Sequence, residues 1–162
     1  MSPMEPEVGE VFETRGRTIT ESDLVTFAGL TGDHHPQHTD ADWAAAGRFG
    51  ARIAHGMLVI SYAVGLVPFD PDRVVALRGL DSLAFKRPVM IGDTIRVRTR
   101  VETVRRLDDE QALVTTAWRI VNQHEEVVAR VRVEAIWRLD GEPTAVHDER
   151  EGAALEGGMV LL

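Results

Sequence analysis

Apolar and polar positions along this chain follow two different periods, and the change falls near its middle. Between residues 94 and 104 the alternation is strict. Ile95, Val97, Thr99 and Val101 fall on one side, with Arg96, Arg98, Arg100 and Glu102 on the other. A period of two is that of a strand with one face buried. Leu107-Asp-Asp-Glu110 reads as a hairpin turn, residues 111–121 as the returning strand, and Asn122-Gln-His-Glu-Glu126 as the next turn. In residues 127–139, Val127, Ala129, Val131, Val133, Ala135 and Trp137 are predicted to face inward. Residues 74–85 supply a further strand, and residues 8–18 an edge segment.

The first half keeps a helical period instead. Thr20-Glu-Ser-Asp23 is a capping signal, with Thr20 as N-cap and Asp23 near the N3 amide. Leu24, Phe27, Ala28 and Leu30 follow at helical spacing until Gly32. Residues 40–46 make a short helix capped by Thr39 or Asp40 and stopped at Gly47. Residues 56–67 are apolar on nearly every face, which predicts a helix buried on all sides and ended by Pro68 and Pro71. Such a helix must be wrapped, and a curved antiparallel sheet is the wrapper the remaining strands offer. The expectation is an α+β chain with one domain over residues 1–139. Residues 140–162 are polar and glycine-rich and are expected to form a flexible tail.

Composition narrows the function classes. A chain of 162 residues suits one domain with a substantial core. No apolar run approaches the length of about 18 residues that a membrane span needs, and the first residues lack a basic region followed by an apolar one. A cytoplasmic setting without membrane contact is therefore expected. There is no cysteine, so disulfides and thiolate chemistry are excluded. Eighteen basic against 26 acidic residues give a net charge of -8, which argues against nucleic acid as a partner.

The chemistry concentrates in Thr31-Gly-Asp-His-His-Pro-Gln-His-Thr-Asp40. Histidine and aspartate together move protons near neutral pH. Gly32 and Pro36 mark the segment as a bend, and Pro36 argues against a regular helix between Asp33 and His38. Shortly after comes Phe49-Gly-Ala-Arg-Ile-Ala-His55-Gly-Met57, which opens the apolar helix, so the two loops read as one active site. Asp33 has a structural alternative as an Asx cap of its own turn, and His34 reads as an exposed loop side chain. Ser61 and Tyr62 either line a pocket or pack into the core. His34, His35, His38, Asp33 and Asp40 offer metal-ligand atoms, but there is no regular H-x-x-x-H spacing on a helix and no distant ligand set completes a site, so no metal is expected. Lys86-Arg87 and Arg105-Arg106 are either phosphate contacts or solvated strand ends.

These landmarks resemble a known family. Phe27-Ala-Gly-Leu-Thr-Gly-Asp33-His-His35-Pro-Gln-His38-Thr-Asp40 is similar to the signature of the MaoC-like dehydratases, the (R)-specific enoyl-CoA hydratases. Arg48-Phe-Gly-Ala-Arg-Ile-Ala-His-Gly-Met-Leu58 and Phe85-Lys-Arg-Pro-Val-Met-Ile-Gly-Asp93 match the next two landmarks in order. Two positions depart: the family usually has Asn where His35 stands, and often an apolar residue where Gln37 stands. The resemblance implies a single hotdog fold, a curved antiparallel sheet around a long central helix. It implies hydration of trans-2-enoyl thioesters, or dehydration of 3-hydroxyacyl thioesters, by an Asp33–His38 pair. The backbone N–H of Gly56 would serve as oxyanion hole, with His35, His55, Met57 and Ser61 binding substrate or supporting the loops. Lys86 and Arg87 would meet coenzyme A phosphates. No cofactor is implied beyond the substrate's own carrier, coenzyme A or an acyl carrier protein. A homodimer is expected, because a hotdog sheet has an edge to cover. The alternatives are a thioesterase on the same fold and a non-catalytic acyl-binding subunit.

Overall fold

The computed structural model describes residues 6–139. The tail expected over residues 140–162 lies outside them. Four strands form the main body of the sheet: β3 (Val74–Phe85), β4 (Thr94–Arg106), β5 (Gln111–Val121) and β6 (Val127–Arg138). Two short pieces, β1 (Val11–Glu13) and β2 (Arg17–Thr18), both pair with β4, as the edge segment predicts. The order is β1-β4-β5-β6-β3 and every pairing is antiparallel. Helices α1 (Glu21–Thr31), α2 (Pro36–Thr39), α3 (Ala41–Ala46) and α4 (Gly56–Leu66) precede the β3–β6 run.

Helix α4 lies against the concave side of the sheet. Leu58, Val59, Ile60, Ala63 and Val67 pack with Ile95 and Val97 of β4, Trp118 and Ile120 of β5, and Val131 and Val133 of β6. This is the single hotdog arrangement implied by the resemblance. The alternation in β4 runs as predicted, with Ile95, Val97, Thr99 and Val101 all buried. In β6 the register slips where Ile120 and Val121 of β5 face Ala129 and Val127. A bulge there turns Val128 into the core and leaves Val127 half-buried.

Three expectations need correction. Helix α4 is not buried on all sides and, at 11 residues, is not long: Met57, Ser61 and Gly65 form an exposed stripe in the single chain. The sheet wraps only the opposite side. Leu30 does not reach the core and is 79% exposed, because the buried face of α1 runs through Leu24 and Ala28. Pro36 does not forbid a helix. It stands at N1 of α2, where its missing N–H costs nothing and its fixed φ starts the turn.

The capping signals were read correctly. Thr20 and Asp23 close a reciprocal capping box on α1, and Gly32 ends the helix in the left-handed conformation at φ 76°. Asp40 caps α3 by accepting from the Trp43 N–H at 2.9 Å. Val67, forced out of the helical region by Pro68, ends α4 in extended geometry. Asp23 also accepts a 2.5 Å hydrogen bond from the Tyr62 hydroxyl, and Arg17 covers the Tyr62 ring at 3.7 Å, so α1, α4 and β2 are tied at one point.

Trp118 sits where α4 meets the sheet and is 2% exposed, with its indole N–H on Thr116. Trp118→Ala is expected to lose about 3–5 kcal/mol in denaturant unfolding. A loss below about 1 kcal/mol would mean that this contact is not the centre of the core.

Candidate active site

The site is assembled from three segments that are separate in sequence. The bend after α1 carries Asp33, and α2 carries His38. The stretch before α4 carries Ile53 and His55, and the exit of β3 carries Phe85, Lys86 and Arg87. Backbone bonds sew them together. The Ile53 N–H donates to the Gln37 carbonyl at 3.3 Å, the Ala54 N–H to the Val89 carbonyl at 2.8 Å, and the Lys86 N–H to the Val128 carbonyl at 2.8 Å. Gln37 holds the Ala51 carbonyl through its side-chain amide at 3.1 Å.

Two imidazoles fix the geometry. His38 Nδ1 lies 2.7 Å from the Ile53 carbonyl, and His55 Nε2 lies 3.0 Å from the Asp33 carbonyl. A carbonyl only accepts, so both of these nitrogens carry hydrogens. In the neutral His38 ring the free lone pair is therefore on Nε2. The rings stack, with centroids 3.8 Å apart and 26° between planes. His55 is buried at 3% exposure and its Nδ1 has no hydrogen-bond partner among the described residues. Side-chain ligand atoms of Asp33, His38 and His55 all lie within 4.8 Å of one another. His55 is thus a distant partner of the loop residues, which the sequence reading did not find.

Gly56 opens α4, and its N-cap His55 contributes no side-chain cap bond. The first amides of a helix have no intrahelical acceptor, and the dipole adds partial positive charge there. The ring of Phe85 lies against Gly56 so closely that a Cβ at this position would come 2.6 Å from Cζ. Glycine lets the Phe85 ring approach this closely; a Cβ would have to push the ring aside.

A cavity of about 430 Å³ opens beside these groups. His38, Gly56, Lys86 and Arg87 line it, joined by Arg48, Phe49 and Phe85. Asp33 is exposed beside His38, and its carboxylate accepts from the His35 N–H at 3.3 Å. His35 itself caps α2 through Nδ1 and stands edge-on to Trp43, so its place is in loop support. Met57 and Ser61 lie on the exposed stripe of α4, with Ser61 bonded back to the Met57 carbonyl at 2.8 Å, and neither lines the cavity. His34 is exposed, as read from sequence. Sequence reading missed Arg48, Phe49 and Phe85 as cavity residues. Each stands inside a quoted landmark; Arg48 and Phe49 directly flank glycines, and Phe85 directly precedes Lys86-Arg87.

Comparison with known proteins fits this geometry. Residues 3–123 match the family model described as MaoC like domain, and the chain belongs to that family. It is 40% identical over 99 residues to an (R)-specific enoyl-CoA hydratase of Rhodospirillum rubrum, covering 61% of this chain and 67% of that protein. It is 45% identical over 95 residues to Protein MaoC of Klebsiella aerogenes, where the match covers 58% of this chain but only 28% of the relative. Among solved structures, a monoamine oxidase regulatory protein from Archaeoglobus superposes with a TM-score of 0.80 at 38% identity, covering 84% of this chain and 93% of that one.

Partial burial lowers the His38 pKa. The Ile53 carbonyl works against the shift, and His55 lowers it further. The folded value thus lies below the ordinary histidine value of 6.5, and between the two the unfolded chain binds more protons. Stability from this ring is lost as pH falls through that window. NMR titration should give His38 a midpoint below 6.5; a midpoint above it would mean that burial does not outweigh the Ile53 hydrogen bond.

Proposed function

We propose that this protein is a hydro-lyase that hydrates trans-2-enoyl thioesters with (R) specificity, and that it runs the matching dehydration in reverse. The observation that carries the reading is the free Nε2 of His38 beside Asp33, on the same cavity as an uncapped helix N-terminus. The names of relatives in the family point the same way. They include (R)-specific enoyl-CoA hydratase and 3-hydroxybutyryl-CoA dehydratase.

In the hydration direction, the Asp33–His38 pair removes a proton from water as its oxygen attacks the β-carbon. The electron pair of the double bond moves toward the thioester carbonyl. The Gly56 N–H donates to the developing oxyanion, a contribution whose loss elsewhere costs on the order of 3 kcal/mol. Collapse of the enolate takes a proton onto the α-carbon from the same pair, so no net proton leaves the site. His38 is suited to be the base: its other nitrogen is committed to the Ile53 carbonyl, and burial favours its neutral form. Asp33 then orients the water and receives help from the His55 bond to its backbone. No cofactor takes part beyond the carrier on the substrate.

Arg48, Lys86 and Arg87 at the cavity suit the phosphates of coenzyme A or of the phosphopantetheine arm of an acyl carrier protein. Phe49, Phe85 and Val59 supply apolar wall for the acyl group. A homodimer is the natural assembly. Among the described strands β3 ends the sheet and exposes Val75, Leu77, Leu80 and Phe85, an apolar edge that a second copy would cover. In such a dimer the thioester would act as substrate with both copies folded as described.

Crotonyl-CoA tests the reading. Its enoyl absorbance should fall without release of free thiol, and Asp33→Asn and His38→Gln should each lower kcat by about 10²–10⁴ while leaving the circular dichroism unchanged. Thiol release in step with substrate loss would instead mark a thioesterase. Undiminished turnover in either variant would remove the pair from the mechanism. Lys86→Gln combined with Arg87→Gln should raise KM for crotonyl-CoA by roughly tenfold with little change in kcat, as loss of uniform binding does. An unchanged KM would place the coenzyme phosphates elsewhere.

A further inference from the structure

The convex face of the sheet, turned away from α4, carries a row of cations. Arg98 of β4 stands directly opposite Arg119 of β5, which stands directly opposite Arg130 of β6. One step along β4, Arg100 faces Ala117. Like charges directly opposite on neighbouring strands destabilise a sheet unless something neutralises them. Glu13 and Glu125 pair with Arg98, but the side chains of Arg100, Arg119 and Arg130 make no ion pair or hydrogen bond with a described residue. These three arginines are uncompensated among the described residues, in a chain of net charge -8.

The cluster borders a groove. Between β1 and β5 a depression of about 480 Å³ is walled by Arg98, Arg100 and Arg119 and by Glu13 and Glu102, which are paired with Arg98 and Arg132, while Val11, Phe12 and Ala117 supply apolar surface. It shares no lining residue with the cavity at His38. A volume of this size suits a small-molecule ligand. Guanidinium forks bind phosphate oxygens two at a time, and an arginine lacking a carboxylate partner is free to do so. Exposed Val11 and the small Ala117 leave room for a flat or apolar body next to the phosphates.

The geometry points to a second ligand site on this outer face, which takes a phosphate ester of nucleotide size through Arg100 and Arg119, with Arg98 beside them. The phosphates lie across the arginine row and the non-phosphate part lies over Ala117. Binding removes the cross-strand repulsion, so it is coupled to the stability of the sheet. The site does not depend on the proposed hydration chemistry.

The probe is ADP, titrated calorimetrically into the full chain at low ionic strength, with pyrophosphate as the second arm. One saturable site is expected, weakened by added salt, and weakened by at least roughly tenfold in the double variant Arg100→Gln, Arg119→Gln. That variant should hydrate crotonyl-CoA at the parental rate and melt no lower than the parent without ligand, because it removes repulsion and breaks no bond. Pyrophosphate binding as tight as ADP would assign the site to the phosphates alone, and tighter ADP would assign part of it to the apolar floor; both support the site. Absence of saturable binding, or unchanged ADP affinity in the double variant, would overturn it. So would loss of ADP binding in Lys86→Gln, Arg87→Gln instead, which would place the nucleotide at the cavity beside His38.

Discussion

Two imidazole-to-carbonyl hydrogen bonds hold the site together. His38 donates from α2 to the carbonyl of Ile53, and His55 donates back from the start of α4 to the carbonyl of Asp33. Each bond joins the acid loop to the segment before the helix, and together they form a reciprocal clasp. The clasp fixes the tautomer of His38, sets the backbone that carries Asp33, and stacks the two rings. It also fixes where α4 begins, and so where its free amides are. Break the clasp and nothing holds Asp33 beside His38, or His38 on the same cavity as the start of α4.

The sheet supports this arrangement mainly by packing. The alternating strands β4, β5 and β6 give α4 one continuous apolar surface, and Trp118 fills the join. Phe85, at the end of β3, lies on Gly56 and thereby links the edge strand to the helix terminus. The molecule thus separates its work by face. Its concave side holds the helix and the stacked His38 and His55 rings, and its convex side holds most of the strand arginines.

Much of the fold was legible because its signals are local. Strict alternation in β4 and the capping box at Thr20 each depend on neighbours within a few residues, and both were read correctly. What failed depended on the third dimension. Helix α4 looks uniformly apolar, but which stripe is covered depends on how far the sheet curls, and Met57 and Ser61 fall on the uncovered side. Leu30 has helical spacing but lies beyond the end of the core. Pro36 was read as a breaker, though its position at N1 makes it an initiator. At the site, Asp33, His38, Gly56, Lys86 and Arg87 were named from sequence. The clasp could not be, since a backbone carbonyl such as that of Ile53 carries no mark in the residue string. Arg48, Phe49 and Phe85 were passed over because their role comes from adjacency to a cavity.

In the proposed hydration, a water molecule activated by Asp33 and His38 adds to the β-carbon of the enoyl thioester. Turnover of crotonyl-CoA in H2(18)O, followed by mass spectrometry of the products, tests this most directly. The label should appear in the 3-hydroxyl of an intact 3-hydroxybutyryl thioester and disappear with Asp33→Asn. Label in a free carboxylate instead would mean attack at the carbonyl, and the hydration account would be wrong.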